Sequence, residues 1–231
     1  MTRQLTFDLA APPSLSRADF LPAPANAEAL ALVDAPEAWP QGRLLLLGPD
    51  GSGKSHLAAI WTAERGATRL AAQALSPDGI DALVTPEGAI AVEDADRVAG
   101  MADAERGLFH LWNLCAQRGC RLLVTARRAP AHWGLALPDL RSRMQAMTAV
   151  RLGPPDDALL AAVLVKLFAD RQLHPDVGLI EALVRRMDRD LGLARRLVAA
   201  IDDAALAGNR GVTRPLALDV LARLTEGDVP D

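Results

Sequence analysis

Residues 48–55 read Gly-Pro-Asp-Gly-Ser-Gly-Lys-Ser, and they fall between two apolar patterns of different period. Before them, Leu44-Leu45-Leu46-Leu47 is a short continuous apolar run, which predicts a strand buried on both faces. After them, Leu57, Ile60 and Trp61 recur at helical spacing over 55–64. The eight residues fit G-x-x-x-x-G-K-[ST], the P-loop pattern. A strand, a glycine-rich turn and a helix in that order commit the chain to a parallel α/β architecture. The glycines let backbone N–H groups close around an anion, and the helix N-terminus adds a partial positive charge. Gly48, Pro49, Asp50, Gly51, Ser52, Gly53, Lys54, Ser55 and His56 are therefore the expected nucleotide-binding segment. Lys54 is expected on the β and γ phosphates and the Ser55 hydroxyl on Mg²⁺.

The remaining pattern agrees. Strands are expected at 43–47, 68–71, 89–92, 121–125 and 149–152. Helices are expected at 26–33, capped by Asn26, and at 55–64, 78–84, 104–117 and 137–144. Alternation of this kind implies a parallel sheet flanked by helices on both faces. Past Gly153-Pro154-Pro155 the strand signal stops. Amphipathic stretches at 156–171, 175–187, 191–207 and 214–224 predict a small all-α domain. The prolines at 12, 13, 22 and 24 make 10–25 read as a linker or extended arm without packing of its own. The expected division is an N-terminal peptide and arm over 1–17, a nucleotide-binding α/β domain over 18–154, and a helical lid over 155–231.

Several classes are disfavoured. No apolar run reaches the length of a membrane span and no signal peptide opens the chain, so a soluble cytoplasmic protein is expected. Cys115 and Cys120 read as buried thiols, and the four scattered histidines form no ligand pattern. A net charge of −4 argues against a protein held on DNA by bulk electrostatics.

The strand Ala89-Ile90-Ala91-Val92 ends in two carboxylates, Glu93 and Asp94. A carboxylate at this place can hold Mg²⁺ through water or orient an attacking water. The usual order puts Asp first, and here Glu93 takes that position. Ser55 and Asp94 are the expected metal contacts.

The P-loop, together with Phe20-Leu21-Pro22 and Asn26-Ala27-Glu28-Ala29, resembles the DnaA family of AAA+ ATPases. So do Asp139-Leu140-Arg141-Ser142-Arg143-Met144 and Gly192-Leu193-Ala194-Arg195-Arg196-Leu197. The resemblance spans roughly 18–225. It implies an AAA+ domain with a helical lid, an adenine nucleotide (ADP or ATP) with Mg²⁺, and a trans-acting arginine finger at Arg143. It also implies a lid contact from Arg195, with Arg196 as the register alternative, and a first sensor at Thr125. Arg127 stands where a polar or acidic residue is expected, which with Glu93 implies weak or absent intrinsic hydrolysis. DnaA continues into a helix-turn-helix domain that this sequence does not contain. Instead, Gln4-Leu5-Thr6-Phe7-Asp8-Leu9 looks like a sliding-clamp peptide, with Gln4, Leu5, Phe7 and Leu9 as the docking residues. That combination is similar to the regulatory inactivators within the family. It implies the sliding clamp and DnaA as partners, with DNA reached only through the clamp and a homodimer left open. Three rivals remain at this point: an autonomous ATPase such as a helicase loader, a direct DNA-binding factor, and a nucleotide-binding scaffold without hydrolysis.

Overall fold

The computed structural model describes residues 15–208 and 211–226. The clamp-like residues Gln4, Leu5, Phe7 and Leu9 lie outside them. Five parallel strands form one sheet in the order β2-β3-β4-β1-β5: β1 (Arg43–Leu47), β2 (Thr68–Ala71), β3 (Ala89–Glu93), β4 (Arg121–Ala126) and β5 (Ala149–Arg151). The P-loop strand is thus central, between β4 and β5.

The four leucines of β1 divide by parity, as a period of two requires. Leu44 and Leu46 pack with α1 (Ala27–Asp34) and α2 (Lys54–Arg65) on one face. Leu45 and Leu47 pack on the other with α4 (Ala102–Arg118) and α5 (Pro138–Gln145), where the short α3 (Ile80–Leu83) also sits. Each is at most 2% exposed, so each contributes ~1.5–3 kcal/mol of burial. Edge strand β2 is mostly exposed.

The helical domain has its own core. It joins α6 (Asp157–Asp170), α7 (Val177–Val184), α8 (Leu191–Ala207) and α9 (Arg214–Glu226) around Leu164, Phe168, Leu183 and Leu197, all fully buried. Three of these helices start on an aspartate cap. Asp156 accepts from Leu159 N at 2.8 Å, Asp176 from Leu179 N at 2.7 Å, and Asp190 from Gly192 N and Leu193 N at 2.6 and 3.0 Å.

Two expectations give way. Asn26 does not cap α1; its Oδ1 accepts from Ala23 N at 2.8 Å and its Nδ2 donates to Leu21 O at 3.0 Å. The side chain braces the preceding turn, so it is unavailable to the helix. The arm packs from Ser16 onward. Phe20 is buried, Arg17 pairs with Asp34 at 2.6 Å, and Asp19 pairs with Lys166 of α6 at 2.6 Å. Proline locks φ and lowers the entropy of an irregular segment, which makes such a strap cheaper to order than the composition implied.

Candidate phosphate-binding site

The loop 48–53 leaves the C-terminal end of β1 and enters α2 directly. Gly51 (φ +66°) and Gly53 (φ +101°) adopt conformations that L side chains rarely take. A Cβ on Gly48 would lie 2.6 Å from Leu152 O and 2.7 Å from Ser52 Oγ. Space therefore demands glycine at 48, and backbone conformation demands it at 51 and 53. Ser52 Oγ is buried and has no hydrogen-bond partner. A buried hydroxyl without a partner is costly unless a ligand satisfies it. These residues fit a phosphate.

Lys54 is 6% exposed and folds back on its own loop, donating from Nζ to Gly48 O at 2.8 Å and to Pro49 O at 2.7 Å. Burial pushes its ammonium pKa down, against the attraction of Asp50 and Asp94. A buried cation resting on two carbonyls is poised for an anionic partner. Ser55, next in the helix, is exposed.

The strand-end carboxylates separate. Glu93 is taken by Arg69 of the neighbouring strand, at 3.2 Å. Asp94 turns into the left-handed region (φ +56°) and pairs with Arg97 at 3.5 Å. Thr125 is fully buried, and its hydroxyl accepts the Asp94 N–H at 3.1 Å. Thr125 therefore holds the turn that carries Asp94. Arg127, just past β4, reaches the loop itself, with Nε 2.9 Å from Asp50 Oδ1.

The lid closes on this site from above. Leu191 N donates to Gly51 O at 3.0 Å, and a Cβ on Gly51 would lie 1.8 Å from Asp190 Oδ1. Arg195 of α8 donates to His56 Nδ1 at 3.0 Å, while His56 Nε2 lies 2.9 Å from Ser16 O. Arginine has only donors and a carbonyl only accepts, so the imidazole is neutral with its proton on Nε2. Burial holds its pKa below the ordinary range, and the Arg195 charge works the same way. Phe20 meets the ring edge-on at 5.2 Å. Both nitrogens of His56 are thus taken by the strap and the lid, which leaves the ring no polar atom for a phosphate. Arg195 stands beside the first turn of α2. Its side chain is partly buried, and desolvation lowers its pKa.

Arg143 lies elsewhere. On α5 it hydrogen-bonds Asn113 and stacks over Phe109, with its guanidinium carbon 4.5 Å from the ring centroid. Its neighbour is Arg43, the first residue of β1, which stacks on Trp112 at 3.7 Å. Burial lowers the Arg43 pKa, and the like charge of Arg143 adds to that. Arg143 is therefore at the end of the sheet where β1 begins, and the phosphate loop is at the end where β1 finishes.

The architecture has known counterparts. Domain III of the Thermotoga maritima replication initiation protein DnaA superposes with a TM-score of 0.78 at 16% identity, over 91% of this chain and 97% of that one. The fold is a DnaA-like AAA+ fold. AMPPCP-bound DnaA from Aquifex aeolicus matches at a TM-score of 0.65 and 15% identity, over 82% of this chain and 65% of that one. The AAA domain of FIGL-1 in complex with ADP matches at 0.68 and 15% identity, over 91% and 84%. No protein-family model matches the chain. The neighbours agree with the expected α/β domain and helical lid. Among the described residues no helix is long and apolar enough to cross a membrane, and no three His, Cys, Asp or Glu side chains cluster to hold a metal by themselves.

The sequence reading missed two contacts made by side chains distant in the chain: Arg127 on Asp50, and Asp190 against Gly51. Asp190 caps α8, and nothing local announces which loop a cap will touch.

Proposed function

We propose that this protein is an adenine-nucleotide-bound AAA+ regulator of the Hda type. It docks on the DNA sliding clamp through Gln4, Leu5, Phe7 and Leu9 and stimulates ATP hydrolysis on DnaA in trans. The observation that carries the proposal is the position of Arg143. The five residues of β1, rising about 3.3 Å each, stand between its neighbourhood and the phosphate loop. A guanidinium there is remote from the chain's own phosphate loop, which supports a role on the phosphate of a neighbouring molecule. An arginine supplied in trans contributes ~10³–10⁵ in rate by stabilising charge on the transferring phosphoryl group.

Nucleotide binding is supported by the tight glycine loop, the orphan Ser52 hydroxyl and the poised Lys54. The AMPPCP and ADP held by structural neighbours agree with it. Ser55 and Asp94 are the side chains that would hold a hydrated Mg²⁺, which would neutralise phosphate charge. Low intrinsic turnover is part of this reading, because Glu93 stands where Asp is usual and pairs with Arg69.

The clamp contact is tested by capture on purified sliding clamp. Leu5→Ala/Phe7→Ala removes two anchors, each contributing ~1–3 kcal/mol when buried. The double variant is expected to lose clamp capture and keep nucleotide affinity. Undiminished capture would overturn the docking assignment.

A further inference from the structure

The phosphate loop carries an acid, Asp50, at its third position, and an acid there repels any phosphate the loop receives. The structure answers that charge with Arg127. Gly48 N donates to Ala126 O at 3.2 Å, so the parallel register of β1 and β4 delivers the residue after Ala126 beside the loop. Its backbone N–H is fixed by Asp96, a carboxylate only 6% exposed, at 3.3 Å. Its side chain is 38% exposed and spans to Asp50 at 2.9 Å. Asp50 and Asp94 attract the Lys54 charge across this patch, and Arg127 repels it.

Both cations of the patch are thus held by weak partners, Lys54 by carbonyls and Arg127 by a half-exposed carboxylate. An exposed guanidinium–carboxylate pair is easily opened. A phosphate offers the same planar fork a better-matched, more highly charged acceptor. We propose that Arg127 binds the terminal phosphate of the nucleotide, and that Asp50 competes with that phosphate for it. The pair then sets the preference between nucleoside diphosphate and triphosphate. This assignment rests on the nucleotide-binding reading above and on nothing about the clamp or DnaA.

The experiment is equilibrium affinity for ADP and for AMPPCP, with Mg²⁺, measured on the full chain by calorimetry. Lys54→Ala is the non-binding control. Arg127→Ala and Arg127→Gln are expected to weaken AMPPCP about tenfold, the scale of one charge-assisted hydrogen bond, and ADP less than about threefold. Asp50→Asn is expected to shift the ratio the other way, tightening AMPPCP more than ADP. Unchanged melting temperatures for the Arg127 variants show that the fold is intact. An equal loss of both ligands, or no loss, would make Arg127 a surface ion-pair partner and overturn the proposal. An Asp50→Asn ratio that stays put would overturn the competition. Wild type that binds neither ligand would overturn the nucleotide reading and this inference together, whereas wild type that binds both with unchanged ratios in the variants sinks the inference alone.

Discussion

Gly51 bears two constraints that separate cleanly in experiment. Its φ of +66° strains any L residue, and its missing Cβ is where Asp190 sits, with Asp190 Cα only 2.7 Å from the position a Cβ would take. Gly66 has a similar φ of +58° and nothing within 4 Å. Gly66→Ala is expected to cost ~1–2 kcal/mol, the strain of the left-handed region alone. Gly51→Ala is expected to cost more and to lift the lid from the loop. Urea midpoints of the two variants check this; equal losses would show that the Asp190 contact carries no weight. His56 makes a second residue-level prediction. Its folded-state pKa is depressed, first by burial, so the folded state binds fewer protons than the unfolded one. Its contribution is intact above the unfolded value of about 6.5 and is lost as pH falls through the lower folded value. Between pH 7 and pH 5 the wild-type melting temperature should fall more steeply than that of His56→Gln. Parallel curves would contradict the neutral, Arg195-facing imidazole.

At the scale of elements, the joint between sheet and lid is made by a strap and a helix start. Lys166 of α6 pairs with Asp19, Arg195 reaches His56, and the α8 cap rests on the phosphate loop. Asp190→Ala removes a cap with two backbone partners and should cost ~0.5–2 kcal/mol. It should also weaken nucleotide affinity, which Asp176→Ala, a cap away from the loop, should not. Nucleotide titrations of the two variants decide between a cap and a joint. Most of these elements were legible because their signals are local. The leucine run of β1 and the glycine-lysine loop each declare themselves within a few residues. Strand order has no local signal: the resemblance puts the Thr125 strand beside the P-loop strand, as it is, but nothing in 121–126 itself states that it lies beside 43–47. The apolar pattern of 175–187 continues through Val184 to Met187, whereas α7 ends at Val184. The strap was misread because prolines signal irregular backbone without saying whether Phe20 finds a pocket. Arg127 was read from the sequence as an absence of the expected acid, whereas its partner Asp50 lies far back in the chain.

At the scale of the whole molecule, two cores meet over the 48–53 loop, and the candidate charged groups sit at opposite ends of the sheet. Lys54, Arg127 and Arg195 gather where β1 ends; Arg143 and Arg43 stand where it begins. On the proposed reading, such a molecule would hold a nucleotide at one end and offer a guanidinium to another molecule at the other. Arg143 is held by Asn113 and Phe109 in the isolated chain. The most direct test is hydrolysis of labelled ATP preloaded on DnaA, followed with clamp-loaded DNA and each variant. Wild type is expected to stimulate hydrolysis. Arg143→Ala should lose most of that stimulation, about 10³-fold if the whole finger effect is removed, while keeping clamp and nucleotide binding. Arg143→Lys should fail as well, because a point charge does not replace the planar fork. Full stimulation by Arg143→Ala would contradict the finger, and no stimulation by wild type would contradict the trans-activator itself.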